Sequence, residues 1–183
     1  MTRVQILDGR GVARALERMA AELIEHVGDE KLLYLVGVQT RGVPLAHRLA
    51  QLVADATKHR PPVGALDISL YRDDVGPWRA AHQQPVLRDT ELPVAVDQRV
   101  VCLVDDVLYT GRTVRAALDT LMDYGRPRAI RLAVLIDRGH RELPIAADFV
   151  GRVVPTSHSE DVQVRLRETD EGEGVWIAKE VSG

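Results

Sequence analysis

The chain has 183 residues, 45% of them hydrophobic and 28% charged, which places it among globular proteins and outside the disordered class. A formal net charge of −3 and an aromatic fraction of 4% exclude a generally basic nucleic-acid binder and a base-stacking platform for single strands, and leave only a local basic patch open. The longest apolar run, Leu32–Val38, is far too short to cross a bilayer. The opening Met1-Thr2-Arg3-Val4 lacks the pattern of a signal peptide, and the single cysteine, Cys102, lies in an apolar run without an internal partner. A reducing cytoplasm is the expected setting.

In chain order, Val12, Leu16, Met19, Leu23 and Val27 recur at helical spacing, so a helix with one buried stripe is predicted over Gly11–Val27, with Asp8 as N-cap. Leu32–Val38 reads as a strand buried on both faces. After Gln39-Thr40-Arg41-Gly42 comes a second helix with Leu45, Leu49, Leu52 and Val53 inward, then a strand over Val63–Leu70. Residues 71–92 carry Asp73-Asp74, Gly76-Pro77 and a polar run, and form the one long stretch without periodicity. Arg99–Val104 is a buried strand, Asp105–Arg112 a polar loop, and Val114–Tyr124 a helix closed by Gly125. Ile130–Ile136 gives another strand, and 148–154 and 162–166 two shorter ones. This alternation predicts an α/β fold: one mostly parallel twisted sheet with helices on both faces and a ligand site beyond the carboxyl ends of the strands.

The sharpest chemical signal is Val101-Cys102-Leu103-Val104-Asp105-Asp106-Val107-Leu108-Tyr109-Thr110-Gly111-Arg112-Thr113. Two adjacent carboxylates at the end of a buried strand are costly unless cations or hydroxyls meet them. The following Thr-Gly-Arg-Thr brings hydroxyls and backbone N–H groups to a helix N-terminus, an arrangement suited to phosphate. Acceptors for sugar hydroxyls and donors for phosphate thus stand about one pentose phosphate apart. An acidic turn with a Thr cap would explain Asp106 and Thr113 separately, but not both at one strand end. Neither a Walker A loop nor a G-x-G-x-x-G fingerprint occurs. The six histidines show no ligand spacing, so no protein-only metal site is predicted.

This run resembles the phosphoribosyl-diphosphate motif of the type I phosphoribosyltransferases. Thr40-Arg41-Gly42 resembles the family's pyrophosphate loop, and Tyr71-Arg72-Asp73-Asp74 opens what resembles its mobile loop. With Asp137–Pro144, these segments are similar to one subfamily in particular, the pyrimidine-operon attenuation regulators that are also uracil phosphoribosyltransferases. The resemblance implies a single domain over 1–183, with a mobile loop over about 71–92 and a small hood from the N-terminal segment and about 155–183.

It implies further that Asp105 and Asp106 are catalytic and accept hydrogen bonds from the ribose hydroxyls. Val107, Leu108, Tyr109, Thr110, Gly111, Arg112 and Thr113 would hold phosphoribosyl diphosphate or nucleotide, with the 5-phosphate at Tyr109–Thr113. Thr40 and Arg41 would meet pyrophosphate, on backbone that is strained or carries a cis non-proline peptide. Arg138 and the backbone near Val162 would face uracil, although an ion pair of Arg138 with Asp137 or Glu142 is an open alternative. Tyr71, Arg72 and Asp73 belong to the mobile loop. Mg²⁺ would arrive mainly on substrate oxygens.

The implied partners are phosphoribosyl diphosphate, uracil, UMP and a leader mRNA hairpin, with no membrane. A homodimer or higher homo-oligomer is implied. Arg10, Arg14 and Arg18 recur every four residues on the first helix, and the resemblance makes Arg14 and Arg18 the RNA contacts, with Arg48 nearby. A purine phosphoribosyltransferase, or an RNA regulator that keeps the pocket as a nucleotide sensor, are the competing readings.

Overall fold

A computed structural model describes residues 2–69 and 90–179. Strand β1 (Thr2–Asp8) leads directly into helix α1 (Gly9–Val27), and a short 3-10 turn precedes β2 (Leu33–Val38). Helix α2 (Gly42–Thr57), β3 (Val63–Leu66), β4 (Val100–Leu108), α3 (Arg112–Met122) and β5 (Ala129–Asp137) follow, then β6 (Phe149–Val153), β7 (Glu160–Arg165) and β8 (Gly174–Lys179). Asp8 caps α1 as expected: its Oδ1 accepts from Gly11 N at 2.7 Å.

Five strands form a parallel sheet in the order β3-β2-β4-β5-β6. Alternate side chains enter two cores on its opposite faces. Leu33 and Leu35 of β2, with Cys102 and Val104 of β4, pack under α1 and α2, whereas Val36, Val101 and Leu103 pack under α3. Each fully buried Leu or Val stabilises the fold by about 1.5–3 kcal/mol. Cys102 is wholly buried, and burial pushes its thiol far above the ordinary value, so it acts as a small apolar side chain.

The structure moves several of the expected boundaries. Helix α1 starts at Gly9, directly after its cap, rather than at Gly11. Strand β4 runs on through Asp105 and Asp106 to Leu108, because β5 matches it in length and pairs from Val100↔Ala129 to Leu108↔Asp137. The polar loop is therefore Tyr109–Gly111 only. Helix α3 starts at Arg112 but stops at Met122, where Asp123 and Tyr124 turn back onto Thr120 O and Leu121 O at 3.2 and 3.1 Å, ahead of Gly125. Strand β3 ends at Leu66, because Asp67 Oδ1 captures Ser69 N at 2.8 Å in a side-chain turn.

A second sheet forms from segments that the resemblance assigned to a hood, although the residue pattern alone marked only 162–166 there as a strand. Strands β1, β8 and β7 form it, antiparallel, with Thr2 opposite Lys179 and Glu160 opposite Lys179 on the other side. Val162, Val164, Leu166 and Val175 from this sheet pack into the core beneath α1 and α2. Strands β1 and β8 thereby lie side by side, and β7 reaches the carboxyl end of the parallel sheet, where it shares a cleft with Arg41 and Asp106. Tyr71, Arg72 and Asp73 lie outside the described residues, as does most of the loop expected over 71–92. Its last residues are described: Glu91 pairs with Ala65 through two hydrogen bonds of 2.8 Å. Among the described residues no helix is long and apolar enough to cross a membrane.

Candidate functional site

Strand β2 and helix α2 approach so closely that a Cβ on Gly37 would lie 2.4 Å from Val43 Cα, and one on Gly42 would lie 2.2 Å from Val104 O. The missing side chains let the turn Gln39–Arg41 sit against the end of β4. The Gln39–Thr40 peptide is cis. Arg41, the N-cap residue of α2, points across the cleft towards the second sheet: its Nε and Nη2 donate to Asp170 Oδ2 and Oδ1 at 3.0 and 2.7 Å.

The two carboxylates of β4 are not equivalent. Asp105 is buried, and its Oδ1 accepts from Asp106 N at 2.9 Å. Asp106 is half-buried, accepts from Val107 N at 2.9 Å, and faces an open cleft of about 550 Å³. Desolvation raises the Asp106 carboxyl above its ordinary value, against the opposing pull of the Asp105 hydrogen bond and the Arg41 charge. Arg41, Asp106, Val162, Arg165 and Asp170 all line this cleft, which is walled by the carboxyl end of the parallel sheet on one side and by β7 on the other. This is the crevice where α/β sheets bind ligands.

Beyond β4 the chain turns through Tyr109, Thr110 and Gly111 into α3. Gly111 is the N-cap, with φ +93° and no side chain to close the helix end. Arg112 N is met by Thr110 Oγ1 at 3.3 Å, and the first turn of the helix points its N–H groups outward from a half-buried Thr113. The segment after β5 braces this loop. Glu142 N and Leu143 N donate to Thr110 O at 2.9 and 3.2 Å, Arg141 Nη1 donates to Tyr109 O at 2.7 Å, and Arg112 Nε pairs with Glu142 Oε2 at 2.7 Å. Val107 and Leu108 take no side-chain part: Leu108 is buried under α3 and Val107 packs on the opposite core, as their place in a paired strand requires.

Arg138 forms neither of the expected ion pairs. Asp137 accepts from Arg141, and Glu142 from Arg112. The buried Arg138 guanidinium lies instead over the Tyr109 ring, and donates to Thr156 Oγ1 at 3.1 Å and to Ser157 O and Glu160 O at 3.3 and 2.6 Å. It joins the phosphate-loop end of β4 to the start of β7, where Val162 enters the cleft. His140 Nε2 meets Thr156 O at 2.6 Å in the same junction, and its ring packs 4.0 Å from that of His158.

On α1, Arg10 and Arg14 are exposed. Arg18 donates to Val150 O and Gly151 O at 2.9 and 2.5 Å and pairs with Glu22. Arg48 does not extend this basic edge: Glu168 and Glu173 neutralise it.

A phosphoribosyl transferase domain model matches residues 3–165. The bifunctional protein PyrR of Pelotomaculum thermopropionicum is 58% identical over 175 residues, covering 96% of this chain and 95% of that one. The chain belongs to the phosphoribosyl transferase family, in its PyrR branch. The bifunctional protein PyrR of Chloroflexus aurantiacus is 56% identical over 96% of this chain and 94% of its own. The hypoxanthine phosphoribosyltransferase of Trypanosoma cruzi superposes with a TM-score of 0.73 over 96% of this chain and 95% of that one, at 17% identity, which shows the shared fold.

Within this family frame, three residues of the site were not visible in the sequence. Asp170 sits in the acidic run Glu168–Glu173, which reads as a solvated turn, and its partner Arg41 is 129 residues away. Arg141 reaches Tyr109 O, 32 residues back, and His158 packs on the His140 ring, contacts that the sequence pattern did not mark. Asp137–Pro144 stood out as a segment, and its role here is to brace the Tyr109–Gly111 loop.

Proposed function

We propose that the chain transfers a phosphoribosyl group from phosphoribosyl diphosphate to uracil, giving UMP and pyrophosphate, and that the filled pocket controls binding to a leader RNA hairpin. The observation that carries the enzymatic half is the meeting, at one carboxyl sheet end, of Asp106 with Arg41 and a helix N-terminus capped only by glycine. Carboxylates suit ribose hydroxyls, Arg suits a diphosphate, and backbone N–H groups suit the 5-phosphate. The family relatives above 50% identity favour uracil over a purine base.

In this reading the bond from ribose C1 to the diphosphate oxygen breaks, the bond to uracil N1 forms, and the N1 proton leaves. Positive charge develops at C1, and the carboxylates of Asp105 and Asp106 stabilise it. Uracil lies against the β7 backbone at Val162, and Arg138 acts by holding that strand. Tyr109–Thr113 hold the 5-phosphate. Among the described residues no group of three or more His, Cys, Asp or Glu stands together as a metal cage. Asp106, an oxygen donor on the cleft wall, fits an Mg²⁺ carried on the diphosphate and retaining its waters; the ion would screen the diphosphate charge. A homodimer, or a higher homo-oligomer, presents the basic edge of α1 to RNA.

The test is a steady-state assay with uracil, hypoxanthine and guanine against phosphoribosyl diphosphate, beside a gel-shift with and without UMP. Uracil turnover together with UMP-tightened RNA binding supports the reading. Preference for a purine base, or nucleotide binding without turnover, overturns it.

A further inference from the structure

The arginine that this reading assigns to pyrophosphate is already engaged. Asp170 grips Arg41 from the side, through Nε and Nη2. That grip leaves the end-on fork, one N–H of Nη1 and the second of Nη2, without an acceptor among the described residues. Arg41 and Asp106 line the same cleft.

Asp170 is itself held rigidly. Its Oδ2 also accepts from Leu166 N at 3.1 Å and from the Thr169 hydroxyl at 2.8 Å, and its own N–H donates to Leu166 O at 2.7 Å. The turn that carries it is fastened a second time. Arg48 lies seven residues after Arg41, two turns along the same face of α2, and pairs with Glu168 at 2.7 Å and with Glu173. The β7–β8 turn therefore stays against α2 even without the Arg41 contact.

We propose that Asp170 is a positioning residue of the transfer reaction: it fixes Arg41 side-on, so that the free end-on fork meets the diphosphate of the donor and the departing pyrophosphate. The proposal rests on the phosphoribosyl-transfer reading. A guanidinium offers two forks in one plane, and a planar group held by one presents the other in a fixed direction. The carboxylate also cancels part of the positive charge of Arg41, so the gain lies in orientation. A long side chain ordered in advance need not be ordered when the ligand binds. Asp170 also joins the second sheet to the pyrophosphate loop, so both walls of the cleft define where the diphosphate lies.

Asp170→Ala, Asp170→Asn, Arg41→Ala and the Arg41→Ala/Asp170→Ala double variant test this in the full-length protein. The readouts are KM for phosphoribosyl diphosphate, KM for pyrophosphate in the reverse direction, KM for uracil, kcat, and thermal melting. Asp170→Ala is expected to raise both diphosphate-containing KM values about three- to tenfold, the scale of one pre-ordered side chain. The uracil KM should not move. Asp170→Asn keeps one oxygen acceptor and should fall between wild type and alanine; it also serves if the alanine variant fails to fold. In the Arg41→Ala background the second substitution should add nothing. Lower diphosphate KM values in Asp170→Ala or Asp170→Asn would make Asp170 a competitor and overturn the proposal. An equal added loss in the Arg41→Ala background would make its role structural and overturn it too. If Arg41→Ala alone leaves both diphosphate KM values unchanged, or wild type has no turnover, the underlying reading fails, and that result is separable from the Asp170 comparison.

Discussion

The guanidinium carbon of Arg138 lies 4.1 Å from the centroid of the Tyr109 ring, while the same group donates to two backbone carbonyls at the start of β7. One buried cation thus links the loop that would hold the 5-phosphate to the strand that would hold the base. Replacing it by Ala removes the cation–π contact and leaves Ser157 O and Glu160 O without this donor. Both carbonyls are only part-buried, so water replaces much of what they lose, and Arg138→Ala should lose about 1–2 kcal/mol overall. Arg138→Lys should recover only part, since an ammonium cannot reproduce the planar spread of donors. Urea unfolding checks both variants, and an unchanged midpoint in Arg138→Ala would show that the junction is held elsewhere.

Asp106 gives a prediction with a definite pH sign. Its carboxyl is raised above the ordinary value by burial, so the folded chain binds that proton more tightly than the unfolded one. The stability it contributes is full below the unfolded value, near 4, and is lost as pH rises through the folded value. Asp106→Asn has no such proton to lose. It should match wild type in acid and gain stability relative to it towards neutral pH. Turnover should move the other way, falling about a hundredfold or more as stabilisation of the developing charge is lost. Asp105→Asn should also lose turnover. Paired unfolding curves at about pH 4 and pH 7, with uracil turnover, decide the matter; wild-type turnover in both variants would make the acidic pair structural.

Two glycines separate packing at the site from backbone conformation elsewhere. A Cβ at Gly42 would meet Val104 O at 2.2 Å, so Gly42→Ala must push the Arg41 turn away from β4. It should cost about 1–3 kcal/mol and most of the turnover. Gly28, at φ +72°, has nothing within 4 Å of such a Cβ. Gly28→Ala should cost about 1–2 kcal/mol through its left-handed backbone and leave turnover unchanged. Equal turnover in both variants would show that the Gly42 approach does not position the site.

The parallel sheet was legible because each of its strands is a short apolar run between turns, and each helix carries one apolar stripe. The ends of β4 and α3 were not, because a ladder is extended by its neighbour: β5 carries Asp105 and Asp106 into the sheet regardless of their own low strand propensity. The second sheet was hidden for a related reason. Strand β1 exposes Thr2 to Gln5, and β8 is six residues long; they become strands by pairing, β1 with β8 and β8 with β7 as well. At the site, Asp105, Asp106 and Arg41 were legible as unusual chemistry at strand ends. Asp170 was not, because an acidic turn is ordinary until an arginine from another element reaches it.

RNA binding gives the last prediction. Net charge argues against it, so the interaction must be local, and the exposed Arg10 and Arg14 on α1 are its proposed source. Arg14 is exposed and has no partner among the described residues, whereas Arg18 is partly committed to the β6 carbonyls at Val150 and Gly151. Arg14→Ala should therefore lower RNA affinity, reduce the dependence of log affinity on log salt by about one, and leave melting unchanged. Arg18→Ala should reduce affinity and lower the melting temperature as well, because two carbonyls lose a donor. UMP in the cleft should tighten RNA binding, and linkage then requires RNA to tighten UMP by the same factor. Titrations at several salt concentrations, with and without UMP, measure both. A double variant with unchanged affinity and salt slope would place RNA on another face, and good uracil turnover with no RNA binding would leave the protein an enzyme alone.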